Sequence, residues 1–594
     1  MSRPQGSARN PAHELGDFTA TPRMILISPL AIGIGLVSAV VAWALLRLIG
    51  FFTNAFYYGR ISTAMLSPAA NRLGWFAVLV PVAGGLIIGL MARYGSERIR
   101  GHGIPEALEA ILLNGSKVQP RLAILKPLSA AISIGSGGPF GAEGPIIMTG
   151  GAVGSILAQL LRLTSAERKT LLVAGAAAGM SATFAAPVAS AILAIELLLF
   201  ELKPRSAVPV ALAAATAGAG RRYILGLGPL FPVPPHSIFI GPAGLLGCAA
   251  AGLLAGLLAA VLTKAVYTAE DLFQKLPVHW MWWPAIGGVA IGLGGMIFPQ
   301  ALGVGYDTIG ALLQGDVPRT VIAGVLLVKS AIWIVSLSSG TSGGVLAPLL
   351  MMGAALGGIE AMFLPHLGAG FWPLVSMAAV LAGTMRAPFT GIVFAFELTH
   401  DANILLPLLV AAMLAHGTTV LLLRRSILTE KVARRGYHLS REYSIDPLEI
   451  LFAREVMRTH LVAFPAAATV AEVPLLQREK PTPRGQHLYP VLDADGGLKG
   501  VITRKQVQRL AASHEGNAVL GDIATRAVVA HPDEPLRPIV MRMAEHGLTR
   551  LPVVEHGAKK LVGMISLDDL LKARARHLTE ERHRERVLRL RISP

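Results

Sequence analysis

The chain has 594 residues, of which 53% are hydrophobic and 15% charged, against about 25% charged in an ordinary soluble domain. That excludes a wholly soluble protein and predicts a polytopic α-helical membrane protein with a soluble part attached. The formal charge is +17, but the basic residues gather at 424–435 and 572–591, flanking the apolar region and ending the chain. They fit cytoplasmic charge facing anionic lipid better than a nucleic-acid surface, and no nucleic-acid partner is expected.

In chain order, the first 23 residues are polar and carry no apolar signal-peptide core; they read as a cytoplasmic tail. From 24 to 440, apolar stretches such as 24–52, 74–91, 208–219 and 241–262 alternate with short polar breaks. Only some reach the ~20 residues that a full span needs. The shorter ones, interrupted by Gly or Pro, predict broken or re-entrant helices covered by protein or a water-filled cavity. The single cysteine, Cys248, allows no intramolecular disulfide and no cysteine-based metal site.

The most informative segment is Gly135-Ser-Gly-Gly-Pro-Phe-Gly-Ala-Glu-Gly-Pro145, with five glycines, two prolines and one acid inside an apolar region. A Gly-rich bend before a helix start leaves backbone N–H groups aimed at one point, and the helix dipole adds positive charge there. That is an anion site built from backbone, and Glu143 is an anion placed to occupy it. An ionisable residue at membrane depth is a functional candidate by default.

The motif recurs. Ser338-Ser-Gly-Thr-Ser-Gly-Gly-Val-Leu-Ala-Pro348 matches it at Gly137 and Gly340, Gly141 and Gly344, Pro145 and Pro348. Phe184-Ala-Ala-Pro187 leading to Ile195-Glu196-Leu197 resembles Met385-Arg-Ala-Pro388 leading to Phe396-Glu397-Leu398. From Pro145 to Pro187 is 42 positions and from Pro348 to Pro388 is 40. Two matches at nearly equal spacing predict duplicated halves, with the site where they meet. Glu196 and Glu397 then hold equivalent places, each a candidate for pairing at a helix end.

Near residue 440 charged residues become frequent. Residues 488–492 and 500–503 read as strands around Asp-Ala-Asp-Gly-Gly, and 550–554 and 561–566 as strands around Glu555-His-Gly-Ala-Lys-Lys560. Helical patterns at 536–545 and 567–574 complete a tandem α/β unit outside the membrane.

With these motifs in order, the chain resembles the CLC family of chloride channels and proton-coupled anion exchangers over roughly 24–440. A C-terminal pair of CBS domains follows at 450–512 and 520–576, with a basic tail at 577–594. Gly101-His-Gly-Ile-Pro-Glu106, Gly141-Ala-Glu-Gly-Pro145 and Gly344-Val-Leu-Ala-Pro348 are similar to the three family motifs, and Lys126 stands seventeen residues before Glu143, as a family lysine does. The resemblance implies a homodimer in the cell membrane, multi-pass, with both termini cytoplasmic and one anion pathway per subunit. It implies Glu143 as the gate, and Gly101, His102, Gly103, Ile104, Gly144, Ile146, Ile147, Val345, Leu346 and Leu428 around the anion. Gly144 through Ile147, Val345 and Leu346 would act through backbone N–H groups. Neither an enzymatic site nor a required cofactor is expected; chloride is the transported ion.

Four positions depart from the family pattern. His102 stands where a Ser hydroxyl usually contacts the central anion; its ring N–H would replace that hydroxyl, or the ring would cap the helix. Leu428 stands where the last helix usually supplies a Tyr hydroxyl. Leu197 stands where exchangers carry a second, proton-conducting glutamate, which leaves the neighbouring Glu196 as the candidate proton path. Ala142 replaces a usual basic residue. These departures favour a gated, channel-like chloride pathway with CBS regulation over an anion/proton antiporter using Glu143 with a non-standard proton route. A rival from another class is a nucleotide or ionic-strength sensor with a weakly conducting membrane part. Gly563-Met-Ile-Ser566-Leu-Asp-Asp569 resembles the CBS ribose-binding pattern, so Ser566 and Asp569, with Thr503 in the first copy, are candidates for an adenosine nucleotide. The first copy has Thr503 followed by Gln506 instead.

Overall fold

The computed structural model describes residues 22–315, 317–436, 447–479, 483, 486–512, 516–557 and 559–582. Most of the two expected tails, 1–21 and 583–594, lies outside them. The chain divides into two units, Met1–Arg441 and Glu442–Pro594.

In the first unit, helices α1 (Arg23–Tyr58), α2 (Leu79–Tyr94), α3 (Ile104–Leu112), α4 (Pro120–Gly135), α5 (Glu143–Leu160), α6 (Ser165–Phe184), α7 (Pro187–Leu193) and α8 (Pro204–Ile224) form one half. The second half follows in the same order. It comprises α9 (Pro242–Gln274), α10 (Trp283–Ile297), α11 (Tyr306–Gln314), α12 (Arg319–Gly324) with α13 (Ser330–Ser338), α14 (Leu346–Glu360), α15 (Phe371–Met385), α16 (Pro388–Thr399) and α17 (Leu405–Leu422). A last helix, α18, spans Ile427–Arg434. Among the described residues six helical stretches are long and apolar enough to cross a membrane. At 1.5 Å per residue, the 36 residues of α1 make a helix of about 54 Å, longer than a ~30 Å hydrocarbon core. By contrast α3, α7 and α11 have seven to nine residues and are too short to span. These are the broken helices the sequence predicts.

Local chemistry sets the ends. Proline opens α4, α7, α8, α9 and α16, where its missing N–H costs nothing. Thr164 and Glu167 cap α6 reciprocally, with Glu167 Oε2 accepting from the Thr164 N–H at 2.9 Å and Thr164 Oγ1 from the Glu167 N–H at 3.3 Å. Helix α6 is buried on every face from Thr170 to Phe184, as an evenly apolar helix must be.

The duplication is a true pseudo-two-fold. A Cβ on Gly85 of α2 would stand 2.4 Å from the Pro284 carbonyl oxygen; one on Gly288 of α10 would stand 2.5 Å from that of Pro81. Gly85 and Gly288, like Pro81 and Pro284, are 203 positions apart. The halves also cap one another. Glu397, near the end of α16, accepts from the N–H groups of Val188 (3.0 Å) and Ala189 (2.8 Å) at the start of α7. Glu196, in the π-helical turn Ala194–Leu199 that continues α7, accepts from Phe389 N–H (3.3 Å), Thr390 N–H (2.9 Å) and Thr390 Oγ1 (2.6 Å) at the start of α16.

The second unit is α/β. Strands β1 (Phe464–Pro465), β2 (Leu488–Leu492) and β3 (Leu498–Thr503) form one sheet, β1 parallel and β3 antiparallel to β2. Strands β4 (Arg550–Val554) and β5 (Leu561–Ser566) form an antiparallel pair, Leu551 opposite Ile565. Each sheet has its own apolar core, around Phe464, Tyr489 and Ile502 in one and Leu536, Leu551 and Ile565 in the other.

Candidate functional site

The two Gly-rich motifs meet on the pseudo-axis and bond to each other. The Gly141 N–H donates to the Gly344 carbonyl at 3.1 Å, and the Gly344 N–H to the Gly141 carbonyl at 2.8 Å. From this reciprocal pair the chain enters α5 on one side and α14 on the other, so two helix N-termini converge. Glu143, the first residue of α5, is fully buried, and its Oε1 accepts from the N–H of Ala347, the second residue of α14, at 3.0 Å. Its Oε2 has no hydrogen-bond partner among the described residues. A Cβ on Gly141 would fall 2.0 Å from either carboxylate oxygen and one on Gly344 2.2 Å from Oε2. Only glycine at both places leaves room for the carboxylate.

Both helices open alike. Ala142 is the N-cap of α5 and Val345 that of α14. The third residue of each is a proline, Pro145 and Pro348, with no N–H to offer. The fourth residue donates back into the helix, Ile146 to Ala142 at 3.0 Å and Leu349 to Val345 at 3.2 Å. This corrects the expectation for Ile146: its N–H closes the first turn of α5 rather than facing an anion. Helix geometry places Ile147 one bond further along the same ladder. The N–H groups outside the helical ladder are therefore those of the N-caps Ala142 and Val345 and of Glu143, Gly144, Leu346 and Ala347.

The first motif sits against them. Gly101 (φ +88°) and Gly103 (φ +90°) adopt conformations that favour glycine. A Cβ on Gly103 would stand 2.3 Å from the Gly144 carbonyl oxygen, so the start of α3, at Ile104, nests on the start of α5. His102 is buried at 3% exposure, and its Nδ1 has no partner among the described residues. It does not cap α3. That task falls to Glu106, which accepts from the Gly103 N–H at 2.8 Å and from Lys431 Nζ at 2.6 Å. Leu428 is fully buried in α18, which packs on α3. The adjoining carbonyl, of Ile427, accepts from the Tyr267 hydroxyl at 2.5 Å.

Lys126 donates to the carbonyls of Ile99 and Gly101 at 2.7 Å each, bracing this turn. Lys329 does the same for Ala301 (2.9 Å) and Gly303 (2.7 Å). A second turn, Gly303-Val-Gly-Tyr306, is thus the counterpart of Gly101-His-Gly-Ile104, and sequence reasoning missed it. Its signal was the shared offset: 203 positions between the lysines and 202 between the glycines. A cavity of about 340 Å³ reaches Gly101 and carries Arg98, Arg100, Lys117, Lys431 and Arg435 beside Glu97, Glu106, Glu109 and Glu270. A smaller one, about 80 Å³, lies at Gly303 with Thr53, Ser67, Tyr306 and Asp307.

Glu196 is not gathered into this cluster; its two oxygens are engaged in capping α16. Leu197 is fully buried. In the second unit Asp569 is engaged as well. Its Oδ2 accepts from the Ser566 N–H (3.0 Å) and hydroxyl (2.5 Å) and its Oδ1 from Arg458 Nε (2.7 Å). Thr503 and Gln506 repeat the Ser566–Asp569 arrangement in the first copy, with Gln506 Oε1 accepting from the Thr503 N–H and hydroxyl, both at 2.8 Å. No group of acids, histidines or cysteines able to hold a metal occurs among the described residues.

Residues 83–420, more than half of the chain, match the family model described as voltage gated chloride channel. The chain belongs to the CLC family. It is a multi-pass membrane protein of anion transport, and residues 453–513 and 520–576 each match the CBS domain. A relative from Ralstonia nicotianae, named as ClcB-like, is 32% identical over 364 residues, covering 59% of this chain and 85% of its own. The H(+)/Cl(-) exchange transporter ClcA of Citrobacter koseri is 29% identical over 58% of this chain and 76% of its own. A slow cyanobacterial Cl-/H+ antiporter superposes with a TM-score of 0.61 at 20% identity, over 70% of this chain and 99% of that one. A eukaryotic CLC transporter gives 0.57 at 21% identity, over 92% and 98%. At such identities the structural likeness speaks to the CLC fold alone. Residue 428 lies beyond the part matched by the CLC family model.

Proposed function

We propose that this CLC protein is a gated, channel-like pathway for chloride or a similar small anion, with Glu143 as its gate. The observation that carries this is the fully buried carboxylate seated on the N–H of Ala347 at the meeting of two helix N-termini. Ionised, Glu143 holds the position an anion would take; protonated, it loses its attraction to the dipole and yields the place. The anion then meets the N–H groups of Leu346, Ala347 and Gly144. The N–H group of Val345 joins them, the turn Gly101-His102-Gly103-Ile104 lies on one side, and Leu428 forms an apolar wall.

A channel-like mode is favoured over stoichiometric exchange because Leu197 carries no proton and Glu196 is engaged as a helix cap. Exchange is the second reading, favoured by the likeness to the H(+)/Cl(-) exchange transporter ClcA of Citrobacter koseri. Purified protein in liposomes, with anion and proton fluxes recorded together, separates them. A chloride gradient should drive no uphill proton movement at fixed stoichiometry; such pumping would establish exchange. Both termini are assigned to the cytoplasm because basic residues flank the membrane unit at 424–435. A homodimer is assigned from membership of the CLC family, and a candidate site drawn from one chain supports one pathway per subunit. The CBS pair is assigned a regulatory role. An adenosine nucleotide there would have to displace Arg458 and Ser566 before its ribose reached Asp569.

A further inference from the structure

Tyr306 opens α11, directly after Gly305 (φ +79°), in the turn that mirrors Gly101–Ile104. Its hydroxyl is buried and has no hydrogen-bond partner among the described residues. A buried phenol ordinarily finds an acceptor, so one without a partner calls for explanation. The ring is fixed by edge-on contacts with Phe184 (6.3 Å between centroids) and Phe231 (5.9 Å). The charged groups within electrostatic reach are Glu143 and Arg221. Arg221 donates to the Gly226 carbonyl at 3.1 Å, and its buried Nε has no partner among the described residues. Lys329, which also lies within reach of Glu143, is engaged with two carbonyls. On this side of the site, then, a hydroxyl lacks an acceptor while Glu143 Oε2 lacks a donor. Tyr306 also lines the 80 Å³ cavity at the second Gly-x-Gly turn.

We propose that Tyr306 is an anion-coordinating residue of the pathway, its hydroxyl supplying from the second half the donor that neither His102 nor Leu428 provides as a hydroxyl. The assignment rests on Glu143 being the gate. While Glu143 is ionised, the hydroxyl lies within electrostatic reach of its carboxylate. When Glu143 takes a proton and moves, the same hydroxyl donates to the anion that replaces it.

The test uses the full chain as wild type, Tyr306→Phe, Glu143→Gln and the double variant. Chloride affinity is measured by calorimetry in detergent, and the half-saturating chloride for flux in liposomes. Tyr306→Phe removes one oxygen and keeps the ring, and should weaken chloride about tenfold in both the wild-type and Glu143→Gln backgrounds, as expected for one hydrogen bond to a charged partner. Tyr306→His, which retains a ring donor, should recover part of the loss. Affinity and half-saturation within about twofold of the parent in the Glu143→Gln background would overturn the proposal and leave Tyr306 as a packing residue. A Tyr306→Phe protein that does not fold, judged by its size-exclusion profile, would also overturn it, because a donor to a mobile anion cannot be required for folding. The gate reading fails separately, if Glu143→Gln keeps the wild-type pH dependence of flux.

Discussion

Glu143 is held by one backbone hydrogen bond and by the absence of side chains on Gly141 and Gly344. Replacing its charge and replacing its space are therefore different experiments. Glu143→Gln should leave anion flux in place and remove its pH dependence, measured as chloride efflux from liposomes between about pH 4.5 and about pH 7.5. Gly344→Ala should act through space. Its Cβ would stand 2.2 Å from Oε2 and 2.7 Å from the Gly141 carbonyl oxygen, so carboxylate and motif pair must both move. Loss of conduction, or of a folded protein by size exclusion, is expected; wild-type behaviour would mean that the carboxylate does not rest there. That Gly101, Gly103, Glu143, Gly144 and Leu346 stand at helix starts was legible from sequence, because glycine and proline leave strong marks there. The role of Ile146 was misread because the sequence does not say which residue is the N-cap, and that decides which N–H groups are free. Tyr306 was missed because its turn has only two glycines and no proline to draw the eye.

At the scale of elements, the reciprocal caps Glu397 on α7 and Glu196 on α16 show what the two repeated acids do for the fold. Glu397→Gln and Glu196→Gln should each lower stability by about 1 kcal/mol, by analogy with other lost N-caps. Thermal unfolding in detergent would read this, and Glu196→Gln should not change any proton flux. A change in proton coupling without a change in stability would return Glu196 to the proton path. In the CBS unit, Asp569→Ala removes three hydrogen bonds at once, two of them to Ser566. It should lower the thermal midpoint of that unit, whereas Gln506→Ala should cost less because its amide meets no arginine among the described residues. Strands β2 to β5 were legible to within two residues, since alternation and turn residues agree there, whereas β1, two residues long, left no pattern to read. The membrane helices were legible as apolar stretches but not in their ends: α3, α7 and α11 are shorter than any span, and only tertiary cover explains them.

For the whole molecule, the internal repeat foretold that the two halves meet at their Gly-rich motifs, and Gly141 bonded to Gly344 is that seam. Deleting residues 445–594 should leave chloride flux through the membrane unit, because the anion-site cluster is drawn from residues 101–428. Loss of flux in a folded truncation would instead make the CBS pair part of conduction. The seam also joins unequal partners. Glu143 opens α5, yet its mate at the start of α14 is Leu346. A pathway built by duplication but armed on one side only is a polar device. Acidifying one compartment should open it more than acidifying the other, and its current should rectify even with equal chloride on both faces.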